Sequence, residues 1–132
     1  MLDAIAAVAD RENASTPLDL VQTLRLLHEG RPSRWVADEC LAILRKPKNG
    51  FIDRGLPPGT IFASKPGQVD GALCDAALVS LPRRPYALGV MTKYAQCSDR
   101  EVEEFIAQVT ETVHSALVVW DRSNGFGRVV YG

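Results

Sequence analysis

The chain has 132 residues, 46% of them hydrophobic and 23% charged, which fits a water-soluble globular protein about one domain in size. Its 15 basic and 16 acidic side chains leave a formal net charge of -1 with no Lys or Arg block, which excludes a basic nucleic-acid surface. Three cysteines (Cys40, Cys74, Cys97) in no C-x-x-C pattern and two histidines argue against a zinc site, a disulfide framework or a histidine-rich metal centre, and no cofactor is expected.

The start, MLDAIAAVADREN, is apolar but carries Asp3 and no basic n-region, so it does not read as a signal peptide. No apolar run is long enough to span a membrane; the sequence leaves the location open, with the cytoplasm, where the chain is made, as the default. Helix signals begin at Ser15 or Thr16 as cap, Pro17 as first helical residue and Asp19 in the first turn. Leu20, Val21, Leu24 and Leu27 give the helical spacing, and Gly30 ends the run. A second helix is expected from Ser33, with Val36, Cys40, Leu41 and Leu44 as its apolar face and Pro47 closing it. Residues 46–59, KPKNGFIDRGLPPG, are turn chemistry.

Three strands are predicted next: Thr60–Ser64, Ala72–Leu81 and Tyr86–Thr92, the last two joined by Pro82-Arg83-Arg84-Pro85. Their continuous apolar character asks for cover on both faces, or on one face and by a helix. Ser98-Asp99-Arg100-Glu101 is a capping box, and the helix it opens should run to about Trp120. Val102, Phe105, Ile106, Val109, Val113, Leu117 and Trp120 form its expected stripe. Phe126–Tyr131 is β-rich enough for a fourth short strand. The fold class is therefore α+β: two helices, then an antiparallel three-stranded sheet backed by a long C-terminal helix. The chain reads as one partial domain, helical over 1–50 and carrying the sheet and closing helix over 51–132.

The segment from Gly55 to Thr92, GLPPGTIFASKPGQVDGALCDAALVSLPRRPYALGVMT, resembles the C-terminal part of class A β-lactamases and related penicillin-recognising serine hydrolases. In that family a K-T-G or K-S-G triplet on a strand follows a Leu-Pro-x-Gly-type turn and precedes a hairpin and a closing helix. Upstream, DRENASTPLDLVQTLRLLHEG is similar to the stretch that leaves the family's omega loop. The similarity runs over about residues 2–120 in unbroken order.

The resemblance implies a β-lactam or peptidoglycan-like substrate, with Lys65, Pro66, Gly67 and Gln68 as the substrate-binding strand. Lys65 matches the triplet lysine, whose ammonium stabilises anionic groups. Gly67 leaves room for a substrate, and the backbone N–H of Gln68 stands where half of the family's oxyanion hole lies. Pro66 departs from the pattern: it removes the triplet hydroxyl and one N–H, a loss that an edge strand tolerates. Leu73 and Cys74 stand where many relatives carry a basic residue. No serine of this chain has a lysine three residues later, so the S-x-x-K nucleophile is absent, as is S-D-N; no catalytic residue is assigned. The omega-loop glutamate is expected upstream of Leu2-Asp3, and the chain is expected to be truncated and inactive alone. The alternative is a non-catalytic ligand-binding or protein-interaction domain derived from that fold. The tail Phe126–Tyr131 is expected to cover the open sheet edge beside Tyr86–Thr92; otherwise a second copy of the chain, or a separate N-terminal segment, is expected there.

Several residues also have plainer readings. Lys65 taken alone is a solvated turn lysine; Asp70 is a turn residue and Asp75 a structural hydrogen-bonding aspartate. His28 caps a helix, His114 is half exposed, Arg83 and Arg84 form a solvated hairpin tip, and Trp35 and Trp120 are packing residues.

Overall fold

The structure, a computed structural model, describes residues 14–128. Helix α1 spans Pro17–His28, α2 Arg34–Leu44 and α3 Asp99–Asp121. Strands β1 (Phe62–Val69), β2 (Ala72–Val79) and β3 (Tyr86–Met91) form one antiparallel sheet in that order. The α+β class, the three strands and the long closing helix match the sequence expectation. Residues 129–131 of the proposed fourth strand lie outside the described residues. Residues 124–127 form a turn closed by Gly127 N donating to Asn124 O, and the Asn124 side chain accepts from the Phe126 and Arg128 N–H groups.

Local chemistry sets the helix ends. Thr16, not Ser15, caps α1: its hydroxyl accepts from Asp19 N while the Asp19 carboxylate accepts from Thr16 N. Ser33 caps α2 through Val36 N. Ser98 and Glu101 complete the predicted box at α3, and those hydrogen bonds lower the Glu101 pKa.

The sheet is covered on both faces, which explains the apolar run of β2. One face carries Leu73, Ala77 and Val79, packed with Phe51, Ile52 and Leu56 of the preceding loop and with Val102 and Ile106 of α3. The other carries Ala63, Ala76 and Leu78 against Leu24 of α1 and Leu41 of α2. Gly89 lets α1 approach β3, since a Cβ there would lie 3.0 Å from the Pro17 carbonyl oxygen. Gly55, in a 3-10 turn over Asp53–Gly55, lets α3 approach more closely still: an added Cβ would lie 2.2 Å from Ala107 O.

Four expectations are corrected by tertiary contacts. Val102 and Ile106 of the expected α3 stripe are buried, and Val113 and Leu117 pack partly buried against the core, but Phe105 and Trp120 are 55% and 53% exposed, while Thr110, His114 and Asp121 are buried. His114 is buried, with Nδ1 2.9 Å from the Tyr86 hydroxyl. Trp35 is 74% exposed. Arg83 and Arg84 are not a free tip: both backbone N–H groups donate to Asp121 Oδ1, at 3.0 and 2.6 Å, and the Arg84 guanidinium stacks 4.9 Å from the Trp120 ring centroid. The hairpin is thereby tied to the end of α3.

Candidate functional site: the free edge of β1

Lys65 lies in the middle of β1, because the strand continues through Pro66-Gly67-Gln68 to Val69 rather than ending at Ser64. A tight turn at Asp70-Gly71, with Gly71 at φ +73°, starts β2. Asp70 is thus an exposed turn residue.

The register fixes which groups face outward. Lys65 pairs with Ala76, Pro66 with Asp75 and Gly67 with Cys74. Ser80 N donates to Ile61 O, and Leu73 exchanges hydrogen bonds with Thr92 on the β3 side. Antiparallel ladders alternate, so Ile61, Ala63, Lys65 and Gly67 bond toward β2. Ser64, Pro66 and Gln68 therefore aim their backbone groups at the free edge. The N–H that Pro66 lacks would have pointed away from the sheet, which is why the strand survives it. The Gln68 N–H points outward along the same edge.

Side chains alternate across the sheet independently of this. Lys65 and Gly67 share the α1/α2 face with Ala76 and Cys74; Ser64 and Pro66 share the α3 face with Asp75. The exposed Lys65 ammonium donates to Pro66 O at 2.6 Å, so it lies over the outward carbonyl of its neighbour. A Cβ on Gly67 would lie 3.0 Å from Cys74 Sγ, so the missing side chain also makes room for that thiol. The Gln68 side chain donates to Asp99 Oδ2 at 2.8 Å, joining the strand end to the first turn of α3.

Behind the edge sits a buried acid. Asp75 is 0% exposed, and its Oδ2 accepts from Phe51 N and Ile52 N, both at 2.9 Å. Burial raises its pKa more than these backbone hydrogen bonds lower it, and the nearby Asp53 raises it further. Asp75 Oδ1, Asp53 Oδ1 and Ser64 Oγ are buried without a protein partner. Asp75 is structural, as expected: it pins the Phe51-Ile52 segment beneath the strand that carries Lys65.

No two hydroxyl, thiol or imidazole groups among the described residues form a nucleophile–base pair in the hydrogen bonds of this edge. His114 is bonded to Tyr86, on the α3 side of the sheet. Among the described residues no cluster of three His, Cys, Asp or Glu side chains is placed to hold a metal, and no helix is long and apolar enough to cross a membrane.

A family model described as the beta-lactamase enzyme family matches residues 1–117. Among solved structures, the extended-spectrum beta-lactamase TLA-1 is 25% identical with a TM-score of 0.76, over 86% of this chain and 45% of that one. A beta-lactamase from Sphaerobacter thermophilus is 28% identical with a TM-score of 0.73, over 80% of this chain and 41% of that one. A mutant of PBP-A, solved as an acyl-enzyme complex with penicillin G, is 26% identical with a TM-score of 0.67, over 78% and 40%. This chain thus spans less than half the length of these solved relatives. No curated protein matches it.

Proposed function

The chain belongs to the beta-lactamase enzyme family, and from that membership we propose that it carries the substrate-facing strand of a serine hydrolase that recognises β-lactam or peptidoglycan-like amides. The observation that carries this reading is the β1 edge, where the Lys65 ammonium and the outward Gln68 N–H are presented together beside Gly67. An ammonium and a backbone donor on one margin suit a substrate carboxylate and a carbonyl that becomes anionic on attack. The penicillin G adduct of the PBP-A relative supports this choice of ligand class.

In this reading the chain recognises but does not acylate. Its seven serines include none with a lysine three residues on, and removing the nucleophile of such a site costs several orders of magnitude in rate. Pro66 weakens recognition further, because it supplies no hydroxyl to a carboxylate. Nitrocefin with the purified chain is the test: absorbance should not rise above the buffer rate, and the intact mass should be unchanged after penicillin G. Hydrolysis proportional to chain concentration and lost in Lys65→Ala would overturn the inactive reading.

A second reading, interaction with another polypeptide, is favoured by the outer side of β3. Among the described residues β3 is an edge, and by the same alternation Ala87, Gly89 and Met91 aim their backbone groups outward. A strand from a second copy or from a separate N-terminal segment would complete that ladder. Sedimentation equilibrium distinguishes a self-associating chain from a monomer.

A further inference from the structure

Between α1 and the β1–β2 hairpin lies a cavity of about 350 Å³. Leu20, Leu24 and Leu27 of α1 supply one wall, and Ala76 and Cys74 of β2 the facing one. The Lys65–Gly67 stretch of the edge strand closes a side. The Cys74 thiol is turned to Gly67 O at 3.5 Å, so it adds no open polar demand. The volume is within the range of small-molecule sites, and the lining has their character: apolar walls with few polar groups.

Among the described residues, Lys65 is the only charged one lining this space. An ammonium has three N–H donors, and Pro66 O takes one of them. An aliphatic wall of leucines with one cation at its margin is complementary to a molecule that is apolar at one end and anionic at the other.

We infer that this cavity binds a small amphipathic carboxylate, with its alkyl chain among the leucines of α1 and its carboxylate on Lys65. The inference shares with the proposed function only the role of Lys65 as an anion anchor. The apolar part of the site stands apart from β-lactam recognition.

The test uses the full chain with butanoic, hexanoic, octanoic and decanoic acids, each below its aggregation concentration, and with the matching alcohols. Affinity is read by calorimetry and located by methyl shifts of Leu20, Leu24 and Leu27. Each added methylene should tighten binding about fourfold until the cavity is full, following the transfer energy of a buried methylene. The acids should bind about threefold more tightly than the alcohols, the scale of an exposed ion pair. Lys65→Met should erase that difference while keeping the dependence on chain length. Ala76→Val, checked for an unchanged far-ultraviolet spectrum, should weaken the longer acids most.

Affinity independent of chain length, shifts away from α1, or acids and alcohols binding equally to the unaltered chain would each overturn the inference. Acid binding as described together with no effect of penicillin G would leave this site standing and remove the proposed function. Penicillin G binding with no response to any acid would do the reverse.

Discussion

The Nζ of Lys65 donates to the carbonyl oxygen of Pro66, its immediate neighbour, at 2.6 Å. The ammonium thus rests on a carbonyl that faces away from the sheet, with two N–H donors left for a ligand carboxylate. Pro66→Thr tests the arrangement. It adds a hydroxyl and an N–H at a place where no ladder hydrogen bond is made, so stability should change by less than about 0.5 kcal/mol, as at ordinary surface sites. Penicillin G should bind more tightly to the variant. Thermal unfolding and calorimetric titration measure the two effects, and a variant that unfolds would contradict the outward assignment of this N–H.

Asp75 couples the loop to the sheet. Asp75→Ala leaves the buried Phe51 and Ile52 N–H groups without an acceptor and should cost about 3 kcal/mol in urea unfolding. Asp75→Asn keeps an acceptor and should cost far less. Because the folded state raises the pKa of this acid, it binds the proton more tightly than the unfolded chain does. The linked stability is complete below the unfolded value, near pH 4, and is lost as pH rises through the raised folded value. The urea midpoint should therefore fall less steeply with rising pH in Asp75→Asn than in the unaltered chain; equal slopes would assign the effect elsewhere.

Gly55 lies directly against α3. Gly55→Ala would put a methyl 2.2 Å from Ala107 O and 2.6 Å from Thr110 Cβ. Part of that clash is with helix backbone, which cannot swing aside, so the cost should reach at least the ~1–3 kcal/mol of core overpacking. Gly59→Ala is the contrast: nothing lies within 4 Å, and only the positive φ of +84° opposes it. The drop in melting temperature should be larger for Gly55→Ala.

Tyr86 and His114 make a buried hydrogen bond between β3 and α3. Burial pushes the Tyr86 phenol up to about 12, so of the chain's three tyrosines this one should be late to ionise in an ultraviolet titration. The stability tied to its proton is present below the unfolded value, near pH 10, and is lost as pH rises toward 12. Tyr86→Phe should remove the late transition and cost about 1 kcal/mol at neutral pH.

The elements were legible where local chemistry decides them. The Ser98–Glu101 box, the Ser33 cap and the Asp70-Gly71 turn are signals carried by neighbouring residues, and the apolar run of β2 reflects its cover on both faces. The family triplet was legible as residues, and an edge strand is expected to tolerate Pro66, but the pattern predicts a strand that ends at Ser64; only the structure shows that it runs on through the triplet, with the missing N–H facing outward. His114 looked half exposed because its apolar neighbours Val113 and Leu117 suggested a stripe centred beside it; its partner Tyr86 is 28 residues away. The tethering of the Arg83 and Arg84 backbone N–H groups to Asp121 depends likewise on a contact across 37 to 38 residues, which no local pattern encodes. Trp35 and Trp120 were misplaced because large aromatic side chains are buried more often than not, and here α2 and α3 turn them outward.

The most direct measurement is an amide NMR titration of the full chain with penicillin G. Saturable shifts centred on Lys65, Gly67 and Gln68 are expected, reversed on dialysis and absent in Lys65→Ala. Shifts confined to α3 or the β3 edge, or none at millimolar ligand, would contradict the proposed function.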